Sequence, residues 1–127
     1  MTIKANVTGL GTPAQTASAI VGGVNSTVAA AGTTQATATL LPFSSNFVVS
    51  TGTGGVILPP GIGSTISLSA GDSMRVFNYS GGSINVYPPT GGKISNGSAN
   101  AAFVITNTKG AEFVCIDGTS FAANLSA

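Results

Sequence analysis

The side chains suited to acid–base chemistry are three carboxylates, Asp72, Glu112 and Asp117, because the 127-residue chain contains no histidine. Histidine is the usual general base near neutral pH. Asp72 follows a glycine directly before an apolar run, and Asp117 begins an Asp-Gly pair. Both patterns are typical of turns. The sequence does not show which carboxylates lie together, and we expect structural roles for Asp72 and Asp117 and no catalytic residue.

Other reactive groups have no partners at a useful spacing. The GDS triplet at residues 71–73 is similar to a hydrolase nucleophile block, but its histidine is missing. Cys115, the single cysteine, lies in the apolar run FVCI and is expected to pack as a small hydrophobic residue. Metal-binding clusters are missing, and the glycine-rich stretches at residues 52–55 and 61–64 have no phosphate-loop lysine. We expect no metal and no cofactor.

Three aromatic residues, Phe77, Tyr79 and Tyr87, form the remaining candidate site, since aromatic rings can stack on a sugar or a base. A ligand site also needs polar groups that fix the orientation of the ligand. Few Asp, Asn or Arg residues lie near these rings in the sequence. We therefore interpret the rings as apolar filler between sheets or subunits, with a stacking platform as the alternative.

Charge is scarce along the whole chain. Charged residues make up 6% of it, the formal net charge is +1, and the mean hydropathy is +0.44, whereas about a quarter of an average domain is charged. So few charges give a monomer little protection against association, and we expect copies of the chain or a partner to cover much of its surface. The four basic residues are scattered, so nucleic acid is not an expected partner. They are Lys4, Arg75, Lys93 and Lys109.

Neither membrane insertion nor a signal peptide is expected. No apolar run reaches the roughly 18 residues that a membrane helix needs; the nearest candidate, residues 17–32, is interrupted by glycine, asparagine and serine. The first residues, MTIKANVTGLG, lack the apolar run of a signal peptide. We therefore predict no membrane association.

The first 32 residues differ from the rest because they are rich in Ala, Thr, Ser and Gly and contain no aromatic residue. Pro13 could begin a short helix, which Gly22 and Gly23 would end. The segment is too apolar for a typical disordered tail. We predict that residues 1–32 form an extended arm that becomes ordered against neighbouring chains, and that residues 33–127 form one domain.

After the arm, nine short apolar runs are separated by Gly, Ser, Asn and Pro, which is typical of an all-β protein. The expected fold is a compact antiparallel sandwich or barrel, similar to a jelly roll, with the extended arm in front. The nine predicted strands are residues 36–41, 46–51, 55–58, 64–69, 73–79, 83–87, 102–108, 112–116 and 120–124.

Two of these runs carry apolar side chains on both faces. Alternation in SMRVFNY places Met74 and Val76 on one face of the strand and Arg75, Phe77 and Tyr79 on the other. In EFVCI, it places Val114 and Ile116 on the face that points away from the core. In a small domain, a second apolar face is explained by a subunit interface more easily than by a third layer. The predicted interface residues are Arg75, Phe77, Tyr79, Val114 and Ile116.

Two Pro-Pro corners, LPPGIGS and YPPTGGK, predict loops of fixed shape at the edge of the domain, because proline restricts the backbone and glycine permits the turn that follows. We expect these corners to contact a partner. Residues 78–83 and 116–121 are predicted to form simple hairpin turns.

Several segments together resemble small structural proteins of tailed bacteriophages that act as capsid decoration, cement or head-fibre proteins. They are TGLGTPAQTASAIVGGV, GTTQATATLLP, GVILPP, AGDSMRVFNYSGGSINVYPPTGGKI and GAEFVCIDGTSF, which span nearly the whole chain. The resemblance implies a homotrimer on the outer capsid surface of the virion, made in the host cytoplasm and tying neighbouring major capsid subunits together, with no cofactor or catalytic residue. The low charge departs from many decoration domains.

The leading hypothesis is therefore a non-enzymatic virion protein that cements the capsid as a homotrimer. The alternative is a head-fibre or tail-fibre component that binds a receptor on the host surface through an exposed rim around Tyr87. The predicted contacts to the capsid or another partner are Pro13, Ile20, Pro59, Pro60, Tyr87, Pro88 and Pro89.

Overall fold

The computed structural model describes residues 24–42, 46–59 and 68–126. These residues form nine β-strands and one turn of 3₁₀ helix, Gln35–Thr37, so the all-β prediction is confirmed. Among them there is no helix of the length and hydropathy that crossing a membrane requires. The strands are β1 (Val24–Ala29), β2 (Thr39–Leu40), β3 (Asn46–Thr51), β4 (Gly55–Ile57), β5 (Ser73–Asn78), β6 (Ile84–Tyr87), β7 (Phe103–Ile105), β8 (Gly110–Cys115) and β9 (Phe121–Leu125).

The strands form two sheets, and the first six strands belong alternately to one sheet and the other. Sheet A has the order β1-β3-β5-β8-β9, and sheet B has the order β2-β4-β6-β7. The pairs β1–β3, β3–β5, β2–β4 and β4–β6 are all parallel. The chain therefore winds through three successive coils, each with one strand in either sheet, as in a short β-solenoid.

The last three strands reverse this winding. β7 pairs antiparallel with β6, β8 pairs antiparallel with β5, and β9 completes sheet A as an antiparallel neighbour of β8. Both sheets are consequently mixed and do not close into a barrel. The predicted antiparallel sandwich or barrel is wrong in this respect, because consecutive strands up to β6 lie in opposite sheets instead of pairing as hairpins. A jelly roll is not confirmed.

One apolar core fills the space between the two inner sheet faces. Phe47, Val76 and Phe113 from sheet A and Val86 and Ile105 from sheet B have no exposed surface. The rings of Phe103 and Phe113 meet edge to face, with centroids 5.6 Å apart, a geometry that aromatic pairs favour. The two sheets are therefore held together chiefly by burial of side chains at every second strand position.

β1 corrects the predicted boundary of the arm. It runs from Val24 to Ala29 inside the segment that was assigned to the arm, and it pairs with β3. Val28 and Ala30 are buried in the core. The folded domain therefore begins at or before residue 24, and the predicted arm does not extend to residue 32. Residues 1–23, including Pro13 and Ile20, lie outside the described residues.

The segment after β5 is an arch between the sheets, and the predicted hairpin at residues 78–83 is wrong. β5 belongs to sheet A and β6 to sheet B. Asn78, at 0% exposure, holds the arch: its Nδ2 donates to the carbonyl oxygens of Gly82 (2.7 Å) and Ile105 (2.8 Å). Its Oδ1 accepts from the Ser80 backbone N–H (3.0 Å) and hydroxyl (2.7 Å). By contrast, the predicted hairpin at residues 116–121 is confirmed, because it joins the paired strands β8 and β9.

Two further predicted strands differ from the structure. Residues 36–41 form part of the 3₁₀ turn and the two-residue strand β2. Of the predicted strand at 64–69, only Leu68 and Ser69 are described; Leu68 is buried in the core and belongs to no strand.

Candidate binding face of sheet A

The outer face of sheet A holds the side chains that alternation assigned to it. Met74 and Val76 of β5 point into the core, while Arg75 is exposed and Phe77 is half-buried on the opposite side. In β8, Phe113 and Cys115 are buried and Val114 is half-buried. The sequence pattern therefore predicted correctly which side of each strand is in the core.

The five predicted interface residues do not form one cluster. Because β5 and β8 are antiparallel, Ser73 lies opposite Val114 and Phe77 lies opposite Gly110. Ile116 follows β8 at one end of the sheet and Tyr79 follows β5 at the other end. Both are largely exposed, 55% and 58% respectively. Arg75 and Phe77 lie between these two ends.

Sequence reasoning missed the neighbours of Arg75 and Phe77. The strand registers place Arg75, Glu112 and Asn124 side by side across β5, β8 and β9. In the adjacent row, Phe77 lies opposite Gly110, whose N–H donates to the Ser126 hydroxyl at 3.0 Å. Glu112, Asn124 and Ser126, which are distant from Phe77 in sequence, thus line the same groove as its ring, and only the register of three strands reveals this.

A shallow groove lies between the three strands, with a cavity volume of about 370 Å³. Gly110, the first residue of β8, has no side chain, and the Phe77 ring lies over it: a Cβ at Gly110 would lie 2.6 Å from Phe77 Cδ1. Arg75 Nε and Glu112 Oε2 form an ion pair at 3.4 Å beside the ring. We call this the β5–β8–β9 groove. Its lining is Arg75, Phe77, Gly110, Ala111, Glu112, Asn124 and Ser126.

The outer face of sheet B, in contrast, is covered at Tyr87 by the chain itself, while Val104 of β7 is exposed on it. The Tyr87 ring lies over Gly55, and its hydroxyl donates to the Thr33 carbonyl oxygen at 3.1 Å. Ala38 and Ile57 complete a small second apolar cluster with Tyr87. The segment around the 3₁₀ turn therefore acts as the lid of this cluster.

The predicted exposed rim around Tyr87 is wrong. Tyr87 is 8% exposed, and Pro59, Pro88 and Pro89 are also buried. The Gln35 side chain donates to the Pro88 carbonyl oxygen at 2.6 Å. These residues therefore pack within the domain and do not present a contact surface. Pro60 lies outside the described residues.

The YPPTGGK corner begins the segment that reverses the winding. Gly91 has a φ of +83°, which glycine tolerates, and its N–H donates to Asn100 Oδ1 at 2.6 Å. Gly92 approaches the Thr119 carbonyl so closely that a Cβ at Gly92 would overlap it. The Phe121 N–H donates to the Lys93 carbonyl oxygen at 2.9 Å. The corner thus binds the reversing segment to the β8–β9 hairpin.

Each described carboxylate has a local partner. Asp72 Oδ2 accepts from the Ser69 N–H at 2.9 Å, and Glu112 pairs with Arg75. Asp117 Oδ1 accepts from the N–H groups of Ser120 (2.8 Å) and Thr119 (3.2 Å), and these bonds lower the pKa of Asp117 from 3.8. Asp72 and Asp117 therefore stabilise turns, as predicted.

Cys115 is buried, and its Sγ accepts from the Gly118 N–H at 3.0 Å. Among residues 24–42, 46–59 and 68–126, no three His, Cys, Asp or Glu side chains lie close enough to hold a metal ion. The β5–β8–β9 groove and the apolar ends of sheet A at Tyr79 and Ile116 are the candidate binding surfaces of the described residues.

Comparisons with protein-family models, curated proteins and solved structures found no match for this chain.

Proposed function

We propose that the protein is a non-enzymatic structural protein of a bacteriophage virion, which decorates and cements the capsid by binding neighbouring major capsid subunits as a homotrimer. The sequence resemblance points to this class of protein. The observation that carries the assembly part of the proposal is the exposed apolar end of sheet A, where Val114 is half-buried and Ile116 is 55% exposed.

This end of sheet A is suited to association for a physical reason. Ala122 of β9 lies beside Val114 and is also exposed, so three apolar side chains are grouped at the β8–β9 end of the face. Association would remove this apolar surface from water, at about 25 cal/mol per Å² of buried area. Few charges oppose it, since only 6% of the chain is charged.

Cementing then follows from mass action. A protein that binds the assembled shell and not its free subunits stabilises the shell according to its concentration and dissociation constant. A trimer that bridges several capsid subunits gains further affinity because its second and third contacts are intramolecular.

The test has two steps. Light scattering of the purified full chain should give the mass of a trimer, three times the 12.3 kDa chain. Co-sedimentation with mature phage capsids lacking this protein should show saturable binding at a fixed ratio to capsid subunits, and bovine serum albumin serves as the non-binding control. A stable monomer that stays in the supernatant contradicts the proposal.

The alternative of receptor binding relied on an exposed rim at Tyr87 and the Pro-Pro corners. Since Tyr87, Pro88 and Pro89 are buried, this rim no longer supports it.

A further inference from the structure

The β5–β8–β9 groove combines one apolar ring with several unused polar groups. Arg75 Nε lies 3.4 Å from Glu112 Oε2, and within the described part of the chain the Arg75 guanidinium and the Asn124 amide donate no hydrogen bond. The Ser126 hydroxyl accepts from Gly110 and still has its own hydrogen to donate. Donors and acceptors therefore converge beside the Phe77 ring from two strands.

The charge of the groove restricts the kind of ligand that suits it. Arg75 and Glu112 cancel each other, and among the described residues no other charged side chain lines the cavity. A charged ligand would be repelled by one of these two side chains at about the same distance at which the other attracts it. A wholly apolar ligand would remove water from the ion pair and the amide without replacing the hydrogen bonds that these groups make with water, which is unfavourable. A neutral ligand with several hydroxyl groups avoids both costs.

The shape of the groove adds a second restriction. The aromatic ring lies low over Gly110 and is bordered by planar polar groups, the guanidinium, carboxylate and amide of Arg75, Glu112 and Asn124. Planar groups of this kind can bond two adjacent hydroxyls at once, while the ring packs against an apolar face. The 370 Å³ cavity is at the lower end of the range for small-ligand sites.

We infer that the β5–β8–β9 groove is a carbohydrate-binding site that takes a neutral pyranose unit. The Phe77 ring packs against the C–H face of the sugar. Arg75, Glu112 and Asn124 bond its hydroxyls. This site goes beyond the proposed capsid function, since it does not require the apolar end formed by Val114 and Ile116.

An extended peptide is a less suitable occupant. The backbone groups of β8 in the floor of the groove are already paired with β5 and β9, so a peptide could not add as a further strand at this place.

The test is an NMR titration of the full chain with four neutral oligosaccharides: maltohexaose, cellohexaose, mannohexaose and N-acetylchitohexaose. We expect at least one to produce saturable shifts in the backbone amides of Arg75, Gly110, Glu112 and Asn124, with a Kd in the millimolar range or tighter. If none of the four gives saturable shifts at about 20 mM, or if the shifts lie elsewhere, the inference is overturned.

Three variants make the assignment specific. Asn124→Ala should weaken sugar binding about three- to tenfold, the range expected for one lost hydrogen bond. Phe77→Leu retains an apolar contact over Gly110 but removes the ring, and a similar loss is expected. Ser73→Ala, on the same outer face of β5 but outside the groove lining, should bind within about twofold of the native chain. The inference is contradicted if Asn124→Ala binds the sugar as tightly as the native chain does. The melting temperature of the Asn124→Ala variant shows whether that variant is folded.

Dilution without sugar separates this inference from the capsid proposal. If the amides of Gly110 and Asn124 shift when the protein alone is diluted while those of Val114 and Ile116 do not, a second copy occupies the groove and the carbohydrate site is overturned, whereas capsid co-sedimentation is unaffected. If sugar binds but capsids do not, the proposed function fails and the groove assignment remains supported.

Discussion

Asn78 shows how a single polar side chain stabilises a crossing between the two sheets. Its amide satisfies the carbonyl oxygens of Gly82 and Ile105 and the N–H of Ser80. An interior amide is costly unless it is hydrogen-bonded, and here every described buried side-chain polar atom has a partner. The same bonds connect β5, the arch and β7, so Asn78 couples the last parallel coil to the reversed strands.

Replacing Asn78 with alanine should lower the free energy of unfolding by about 2–4 kcal/mol, because it removes the side-chain donor to the buried Ile105 carbonyl oxygen and the acceptor of the Ser80 N–H, and opens a small cavity. Urea denaturation followed by circular dichroism measures the change. Asn96→Ala is the matched control, since Asn96 is exposed, and it should change stability by less than about 0.5 kcal/mol. A loss equal to that of the control would show that the bonds of Asn78 contribute nothing net.

Asp117 connects the stability of the protein to pH. Hydrogen bonds from the Ser120 and Thr119 N–H groups lower its pKa in the folded state below 3.8. A lowered folded-state pKa means that this stabilisation is complete above the unfolded pKa and is lost as the pH falls through the folded one. Asp117→Asn keeps an oxygen acceptor but cannot titrate.

The expected result is that the melting temperature of the native chain falls more steeply below about pH 4 than that of Asp117→Asn. Differential scanning calorimetry between pH 7 and pH 2 gives the comparison. If the melting temperatures of the two proteins depend on pH in the same way, the assigned role of these turn hydrogen bonds is contradicted.

The reversing segment, residues 88–102, is the element at which the chain changes from parallel to antiparallel strand pairing. It joins β6 to β7 and packs on the β8–β9 hairpin through the contact of Gly92 with Thr119 and the bond from Phe121 to Lys93. Ser95 extends the contact, because its hydroxyl accepts from the Ala123 N–H at 3.0 Å. These bonds also occupy part of the outer edge of β9, which would otherwise be free to pair with another chain.

Gly92→Ala should therefore destabilise the fold by about 3 kcal/mol, because the added Cβ overlaps the Thr119 carbonyl and the segment must move away from the hairpin. Gly82→Ala is a suitable control, since its Cβ would make an ordinary contact of 3.6 Å with Thr53 Cγ2. Chemical denaturation of both variants gives the comparison. If Gly92→Ala is as stable as Gly82→Ala, the described packing of this segment is incorrect.

For the whole molecule, the two sheets differ in how their outer faces are covered. On sheet B, the segment around the 3₁₀ turn covers the part of the outer face where Tyr87 packs over Gly55, and Val104 of β7 remains exposed. The outer face of sheet A presents exposed side chains on β5, β8 and β9. The chain therefore covers part of the outer face of sheet B and leaves the β5–β8–β9 face of sheet A open.

Val114→Asp should convert the proposed trimer to monomer, because each subunit would bury an unpaired charge at the association surface. Val104→Asp makes the same change at an exposed valine of β7 in sheet B and should leave the oligomer intact. Light scattering measures both, and circular dichroism reports folding. Native-size oligomers of both variants would place the association surface elsewhere.

The sequence by itself determined the all-β class and the core side of β5 and β8. Alternation in residues 73–79 and 112–116 separated Met74, Val76 and Phe113 from the outward residues, since side chains of a strand point to opposite faces in turn. The Asp-Gly turn before β9 was also predicted from local chemistry. These features depend on neighbours in sequence, which a linear pattern contains.

Only the tertiary structure decided which strands pair. The arch at residues 78–83 has the composition of a hairpin turn, yet Asn78 uses its hydrogen bonds to send the chain to the other sheet. The sequence predicted that Tyr87 lies on an exposed rim, but in the structure the segment around Thr33 covers it. The groove joins Phe77 to Asn124 through the registers of three strands. Pairing and register arise from contacts between distant segments, and a pattern read along the chain does not contain them.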